Sequence, residues 1–335
     1  MTLNAEPEEV QARFEELDVL EAEFENVELE LIRKSNELNA PLWQERAELV
    51  AKIPHFWTLV FEQAPTEFDS FILPSDAQIF AECFETLEVT RFEIDDPKGS
   101  PRSVLIKFGF SDNEYFENKV LEKKFWFRKS KDWEGLVSEP VKIDWKKGKD
   151  PTEGLSDAAF DLFQARKKSA KSANGSSKSK DSELPEYKKL VSMIEESTEA
   201  SPSFFAWFGF VSDYRWVSAE ESEQTAKEDA ERIARLKCGE KVEDDEDEDE
   251  DQTDYQETEV YPQGGEIATL IAEDLWPSAI KYFKSAHEQD GDDLSEIGVE
   301  DMDEDENESG DEIDIRGLVG KGRTSSPPNK KQRKA

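Results

Sequence analysis

Carboxylates dominate the chemistry this chain could perform. Aspartate and glutamate number 80 against 42 lysines and arginines, a net charge of −38 over 335 residues. Two runs concentrate them. Glu243 to Asp251 is nine acids in succession, among them Asp244, Asp245, Glu246, Asp247, Glu248 and Asp249, while residues 290–314 hold fourteen acids and no base. Taking the nine and the fourteen from −38 leaves −15, so the remainder is acidic in its own right. Such a surface repels phosphates and attracts polycations, which excludes nucleic-acid binding by the bulk of the chain and makes a basic protein the natural partner. Catalytic constellations are missing from the pattern. His55 and His287 have no Cys or His companions at ligand spacing. No GxSxG, P-loop or GxGxxG occurs, and nothing singles out one acid–base pair among so many carboxylates. The expectation is a binding protein and not an enzyme, with no metal, cofactor or small-molecule substrate.

Composition bounds the setting. Cys83 and Cys238 lie far apart without a CxxC spacing, which points to a reducing compartment. Met1 to Val10 holds three glutamates and no apolar core, so no signal peptide is expected. The longest apolar runs fall well short of the roughly 20 residues of a membrane span, and no membrane partner is expected. Yet 21 Phe and 8 Trp are too many for a wholly disordered acidic chain. A folded core must exist.

The elements that would carry the acids follow from periodicity. Apolar residues at Val10, Phe14, Leu17, Leu20, Phe24, Val27, Leu31 and Leu38, then Leu42, Leu49 and Ile53, step by three, four and seven along a glycine-free stretch. About 45 helical residues make a rod on the order of 65 Å long, too long to bury its stripe against itself. Phe14, Leu17, Leu20, Phe24, Val27, Leu31 and Leu38 are therefore the expected dimerisation surface, although packing on the chain's own core is an open alternative. Glu21, Glu28 and Ser35 interrupt the heptad, Pro41 predicts a kink, and Pro54 ends the helix. Residues 76–165 suggest about four antiparallel strands: Leu87–Ile94, Val104–Phe110, Val120–Arg128 and Val141–Trp145. Arg166 to Lys180 has no apolar period and reads as a mobile basic loop. Leu184–Ile194 and 219–238 read as helices, Ser203–Phe210 as a buried aromatic block, and Ile267–Phe283 as helix with Pro277 near a start.

Five segments resemble a known family. Asn113-Glu-Tyr-Phe-Glu-Asn-Lys-Val-Leu121 is similar to the N-x-Y-F-x-N-x-x-L signature of the nucleosome assembly protein (NAP/SET) family. Ile143-Asp-Trp-Lys-Lys-Gly-Lys-Asp150 resembles the I-x-W-K-x-G-K-D stretch of its SET (template-activating factor I) branch, of a fungal type. Ala51–Trp57, Ser203–Trp207 and Glu273–Phe283 match that branch in the same order. The resemblance implies an α+β fold: a long N-terminal dimerisation helix, then an antiparallel-sheet "earmuff" domain covered by helices, in a headphone-shaped homodimer. It also implies a nuclear histone chaperone, shuttling with the cytoplasm, that binds core histones and promotes nucleosome assembly and chromatin remodelling without ATP, with DNA contact indirect. The branch's other implied roles are inhibition of a Ser/Thr protein phosphatase and regulation of a histone acetyltransferase. The chain departs from the family between Phe210 and Gly265, where a predicted helix and the internal acidic run are inserted.

The resulting organisation is a disordered N-terminus over 1–9, the dimerisation helix over 10–54, and the earmuff over 55–289. Flexible loops are expected at 166–182 and 239–264, with a disordered acidic tail over 290–335. Candidate histone contacts are Asp144, Lys146, Lys147 and Asp150, with Asp213, Glu273, Asp274 and the acids of the internal run; an ordinary solvated charge is the alternative for each. Tyr115, Phe116, Leu121, Trp145, Trp207 and Trp276 are expected to pack in the core. Lys330, Lys331, Arg333 and Lys334, following two prolines, form a candidate nuclear import signal.

Overall fold

Each element grows from a local pattern that the computed structural model realises over residues 7–172, 181–196, 202–240 and 256–296. Helix α1 spans Pro7–Val50 and is continuous across Pro41. It carries two stripes. The inner one steps by four and three through Asp18, Ala22, Glu25, Leu29, Ile32, Asn36, Asn39, Trp43, Arg46 and Val50, all buried or half-buried against the chain's own body. The other holds Phe14, Leu17, Leu20, Phe24, Val27, Leu31, Leu38, Leu42 and Leu49, which are 46–63 % exposed. The more polar stripe faces inward. The more apolar one is bare.

Short helices α2 (Phe56–Glu62), α3 (Thr66–Asp69) and α4 (Pro74–Cys83) lead into a sheet of β1 (Phe84–Thr90), β2 (Val104–Phe110), β3 (Val120–Lys129) and β4 (Glu134–Ser138). The strands pair antiparallel in the order β1-β2-β3-β4, an α+β meander with a bulge between Phe84 and Thr86. The fourth strand corrects the sequence expectation of Val141–Trp145. Pro140 supplies no donor, Val141 N–H donates to Phe208 O at 2.8 Å, and Trp145 makes a single bridge to Phe116. These hydrogen bonds go to loops instead of a ladder.

Aromatic density then builds the core. A 3₁₀ turn, Phe204–Gly209, is wholly buried, and its start is fixed by Asp76, which accepts from Ser203 Oγ (2.6 Å), Phe204 N–H (2.8 Å) and Leu73 N–H (3.0 Å). The Phe108 ring meets Phe204, Trp207 and Phe208 at centroid separations of 5.7–6.0 Å. Lys123 shares the inward parity of Leu121 and Phe125 in β3 and is fully buried. Its ammonium donates to the carbonyls of Phe208 and Phe210 at 3.0 Å each and Glu139 at 3.3 Å. Burial holds its pKa well below the usual lysine value. Tyr115, Phe116, Leu121, Trp207 and Trp276 are buried, and Trp145 is half-buried against the core.

Two expected loops are partly ordered. Helix α5 (Leu155–Ser172) takes up Arg166–Ser172, because its alanines and lysines continue a good helix former. Helix α6 is Pro185–Glu196 and α7 is Ala219–Lys237, capped where the Ser218 hydroxyl accepts from Glu221 N–H at 3.1 Å. Of the expected loop 239–264, residues 256–264 are folded. Val260 and Tyr261 are buried in the core, and Tyr187 donates to Glu257 at 2.6 Å. Helix α8 (Gly264–Leu270) runs into a π-turn (Ile271–Leu275), and α9 (Ala279–Glu296) follows Pro277. Residues 1–291 form one compact unit and 292–335 a second, of which only 292–296 are described, as helix. Two expected bounds are corrected: residues 7–9, expected in a disordered N-terminus over 1–9, begin α1, and 290–296, expected in a disordered tail over 290–335, complete α9. Residues 1–6, the acidic run, the tail beyond 296 and the basic C-terminal cluster lie outside the described residues.

Each margin of the sheet is met at one place. Trp276 Nε1–H donates to Leu87 O on β1 at 3.2 Å, and Ser138 N–H of β4 donates to Val211 O at 2.7 Å beside a Val137–Ser212 bridge.

Candidate binding cleft

Along the middle of α1 a cleft of about 1140 Å³ opens between the helix and the body. One bank is α1 from Glu28 to Trp43. The floor includes Val104, Phe127 and Leu136, and the other bank is Asp213 with α8 and the π-turn. Five carboxylates line it (Glu28, Glu67, Asp213, Glu266 and Glu273) against two arginines, Arg91 and Arg102. Both arginines are already engaged. Arg91 donates to Pro101 O (2.9 Å) and Glu273 (3.3 Å). Arg102 reaches Glu25 (3.1 Å) and Glu28 (3.3 Å) while its guanidinium lies 4.9 Å from the Phe127 ring centre. Among the described residues no cation pairs with Glu67, Asp213 or Glu266. The cleft therefore offers negative charge over an apolar floor.

The far bank is tightly built. Asp213 accepts a hydrogen bond from Gly265 N–H, and a Cβ at Gly265 would stand 2.5 Å from its Oδ2, so only glycine fits there. Asp213 keeps an exposed edge, yet the protein packed round its carboxylate, with Glu266 adding repulsion, pushes its pKa up to about 6. Burial, followed by repulsion from Asp213, pushes Glu259 up to about 7. The π-turn inserts an extra residue, with Trp276 N–H donating to Ile271 O at 2.9 Å. It leaves Glu273 exposed on the cleft, while half-buried Asp274 accepts from Tyr282 OH at 2.8 Å. Behind it, Arg46 anchors α1: its guanidinium donates to Trp276 O at 2.6 Å and lies 4.3 Å from that indole, which meets Trp43 at 4.7 Å. Burial lowers the Arg46 pKa to about 10.

Of the sequence candidates, Asp213 and Glu273 meet in this cleft; Asp274 sits beside it, tied to Tyr282. Asp144, Lys146, Lys147 and Asp150 are not among its lining residues. Their segment docks on the Asn113–Lys119 loop, so the two motifs behind the family resemblance are halves of one structure. Asp144 N–H donates to Asn118 Oδ1 (2.7 Å), Lys146 N–H to Tyr115 O (2.8 Å), and Lys149 pairs with Glu114 (2.9 Å). Asp150 spends its oxygens on Thr152 and Gly154, whereas Asp144 and Lys147 stay exposed. Asp244, Asp245, Glu246, Asp247, Glu248 and Asp249, and likewise Lys330, Lys331, Arg333 and Lys334, lie outside the described residues. Sequence reasoning missed Glu67, Glu266 and both arginines as cleft residues. It held a signal for Glu28 and Ser35, because these heptad interruptions face the cleft. Among the described residues no group of three His, Cys, Asp or Glu is placed to hold a metal, and no helix is long and apolar enough to cross a membrane.

Comparison with known proteins bears on the family and the fold. The sequence profile of the nucleosome assembly protein family matches residues 50–286. A Schizosaccharomyces pombe protein named for nucleosome assembly is 36 % identical over 165 residues, covering 45 % of this chain and 66 % of its own. Human Protein SETSIP is 33 % identical over 214 residues, covering 64 % of this chain and 59 % of its own, so this chain spans a little under two thirds of these relatives. A crystal structure of a Ccp1 mutant superposes with a TM-score of 0.50 at 25 % identity, covering 84 % of this chain and 99 % of that one. The α+β fold is that of these neighbours, and the chain belongs to the nucleosome assembly protein family, a family of binding proteins and not of enzymes.

Proposed function

We propose that this protein is a nuclear histone chaperone that works as a two-copy frame. The observation that carries the reading is the cleft beneath α1, where unpaired Glu67, Asp213 and Glu266 stand over an apolar floor. Exposed ion pairs are individually worth about 0–1 kcal/mol, so useful affinity for a basic protein needs many of them on a rigid concave surface together with apolar contact. Core histones offer both charge and apolar surface. DNA, with a phosphate charge every ~1.7 Å of axis, competes for the same basic residues, so transfer to DNA needs no ATP and no DNA contact by the chaperone. The bare apolar stripe of α1 supports the second copy, because a water-exposed band of nine large side chains is stabilised only when another surface covers it. The cargo-steering role of Asp244–Asp249 and the import role of Lys330–Lys334 belong to this reading on sequence grounds alone.

The purified protein should keep histones and DNA from co-precipitating at moderate salt and deposit nucleosomes on plasmid without nucleotide. Asp213→Asn with Glu266→Gln and Glu67→Gln should weaken histone binding about tenfold, which three lost contacts of ~0.5 kcal/mol each would produce. Unchanged affinity would remove the cleft from the reading. Leu17→Asp with Phe24→Asp and Leu31→Asp should leave a folded monomer by light scattering; a dimer that survives these changes would refute the two-copy frame.

A further inference from the structure

Helix α7 lies in the insertion that sets this chain apart from its family pattern, and the cleft does not use it. Its buried or half-buried face is Ser222, Thr225, Asp229, Arg232, Ile233 and Leu236, in helical steps of three and four with only two large apolar members. It packs on two elements, β3 and α1. On the sheet side, the Ser222 hydroxyl accepts from Lys129 N–H (3.0 Å), Asp229 pairs with Lys129 Nζ (2.7 Å) and Glu223 with Lys98 (2.6 Å). On the rod side, Arg232 pairs with Asp18 (3.1 Å) and Lys237 with Glu23 (3.0 Å). Further along the same half of α1, Arg102 pairs with Glu25 and Glu28.

We infer that α7 is a brace that fixes the pitch of the N-terminal half of α1 over the sheet, and so the opening of the cleft below it, through ion pairs that salt can loosen. The chemistry of the joint gives it that property. The four charge pairs described between α7 and the sheet side or the rod are each at least one-third exposed on both sides, and such pairs are individually weak and screened. With so little apolar surface beneath α7, these pairs and not burial decide whether the brace is engaged. The C-terminal third of the rod, fastened by Trp43, Arg46 and Val50, stays put when the brace lets go. The inference concerns the rod and its support, and stands or falls apart from the identity of the cargo.

Hydrogen exchange on the full chain, read by mass spectrometry, tests it. Arg232→Glu with Lys237→Glu should speed exchange of amides 16–29 and 222–236 by about tenfold, leaving 36–50, β2 and β3 unchanged as the internal check on folding. Adding Asp18→Arg and Glu23→Lys should bring both segments back to within about threefold of the wild type, because the pairs are restored with reversed sign. Should the variants disturb β2 or β3, the unaltered protein decides: raising salt from about 0.1 M to about 1 M should accelerate the same two segments selectively. Protection of 16–29 that ignores both the charge reversal and the salt, as when a second copy alone holds the rod, overturns the brace. So does failure of the fourfold swap to restore protection while the core remains intact.

Discussion

The two ends of α1 are fastened to the same body by opposite kinds of physics. The C-terminal third is held by shape and desolvation: Val50 and Arg46 are buried, Trp43 leans on Trp276, and the guanidinium satisfies backbone carbonyls. The N-terminal half is held by charge at the surface, through Asp18, Glu23, Glu25 and Glu28. Packing is indifferent to ionic strength, whereas exposed pairs weaken as the screening length shrinks to about 3 Å at 1 M salt. A rod built this way is rigid where the cleft begins and adjustable where it ends.

The contrast can be broken most severely at the packed end. Trp276→Ala removes an indole that touches Trp43, Arg46 and the β1 margin; urea unfolding should record a loss of about 3–5 kcal/mol, the usual cost of a buried Trp-to-Ala change. Arg46→Ala strips the donor from the carbonyls of Trp276 and Pro277, and we expect a loss of about 2 kcal/mol, the same at low and high salt. If salt altered that loss, the packed end would be ionic after all.

Between the ends, acid tests the cleft. Asp213 and Glu259 have folded pKa values of about 6 and about 7, above their ordinary 3.8 and 4.5. An acid whose pKa is raised by folding favours the folded state while protonated. The contribution of these two groups to stability is therefore greatest at low pH, falls as pH rises from 3.8 to about 6 for Asp213 and from 4.5 to about 7 for Glu259, and stays reduced above that. Asp213→Asn with Glu259→Gln should flatten this window, with a gain on the order of 1 kcal/mol at neutral pH after discounting for partial exposure. Urea midpoints at about pH 5 and about pH 7.5 check it; equal slopes in wild type and variant would contradict the assignment. The smallest effect belongs to the ionic end. Arg102→Ala should cost about 1 kcal/mol at low salt and less at high salt, read by the same titration.

How much of this was legible beforehand depends on the range of the interactions. Local signals are legible: the period of α1, the helix at 219–237, the buried aromatic block at Ser203–Phe210, and strands β2 and β3. Long-range decisions are not. Val141–Trp145 has the composition of a strand, but its neighbours were already committed to Phe208 and Tyr115, while the unpromising Glu-Gly-Leu-Val-Ser of 134–138 took the place in the sheet. Lys123 carries no local signal of burial; the three carbonyls round it come together from distant segments. The cleft was half visible. Asp213 and Glu273 are candidates from the sequence, but Glu67 and Glu266 meet them only through tertiary packing, and the 143–150 segment braces a neighbouring loop. Two stripes on one helix also resolved an apparent choice, since α1 packs on its own body with one face and leaves the other bare.

The margins of the sheet bear on self-association. A strand whose hydrogen-bonding groups lie open recruits any extended polypeptide nearby. Here each margin is interrupted at one place: the indole of Trp276 sits on Leu87 next to the bulge near Phe84, and Val211–Ser212 pairs with the end of β4. An invading strand would have to displace these contacts before a continuous ladder could form, which shortens the seam on either side.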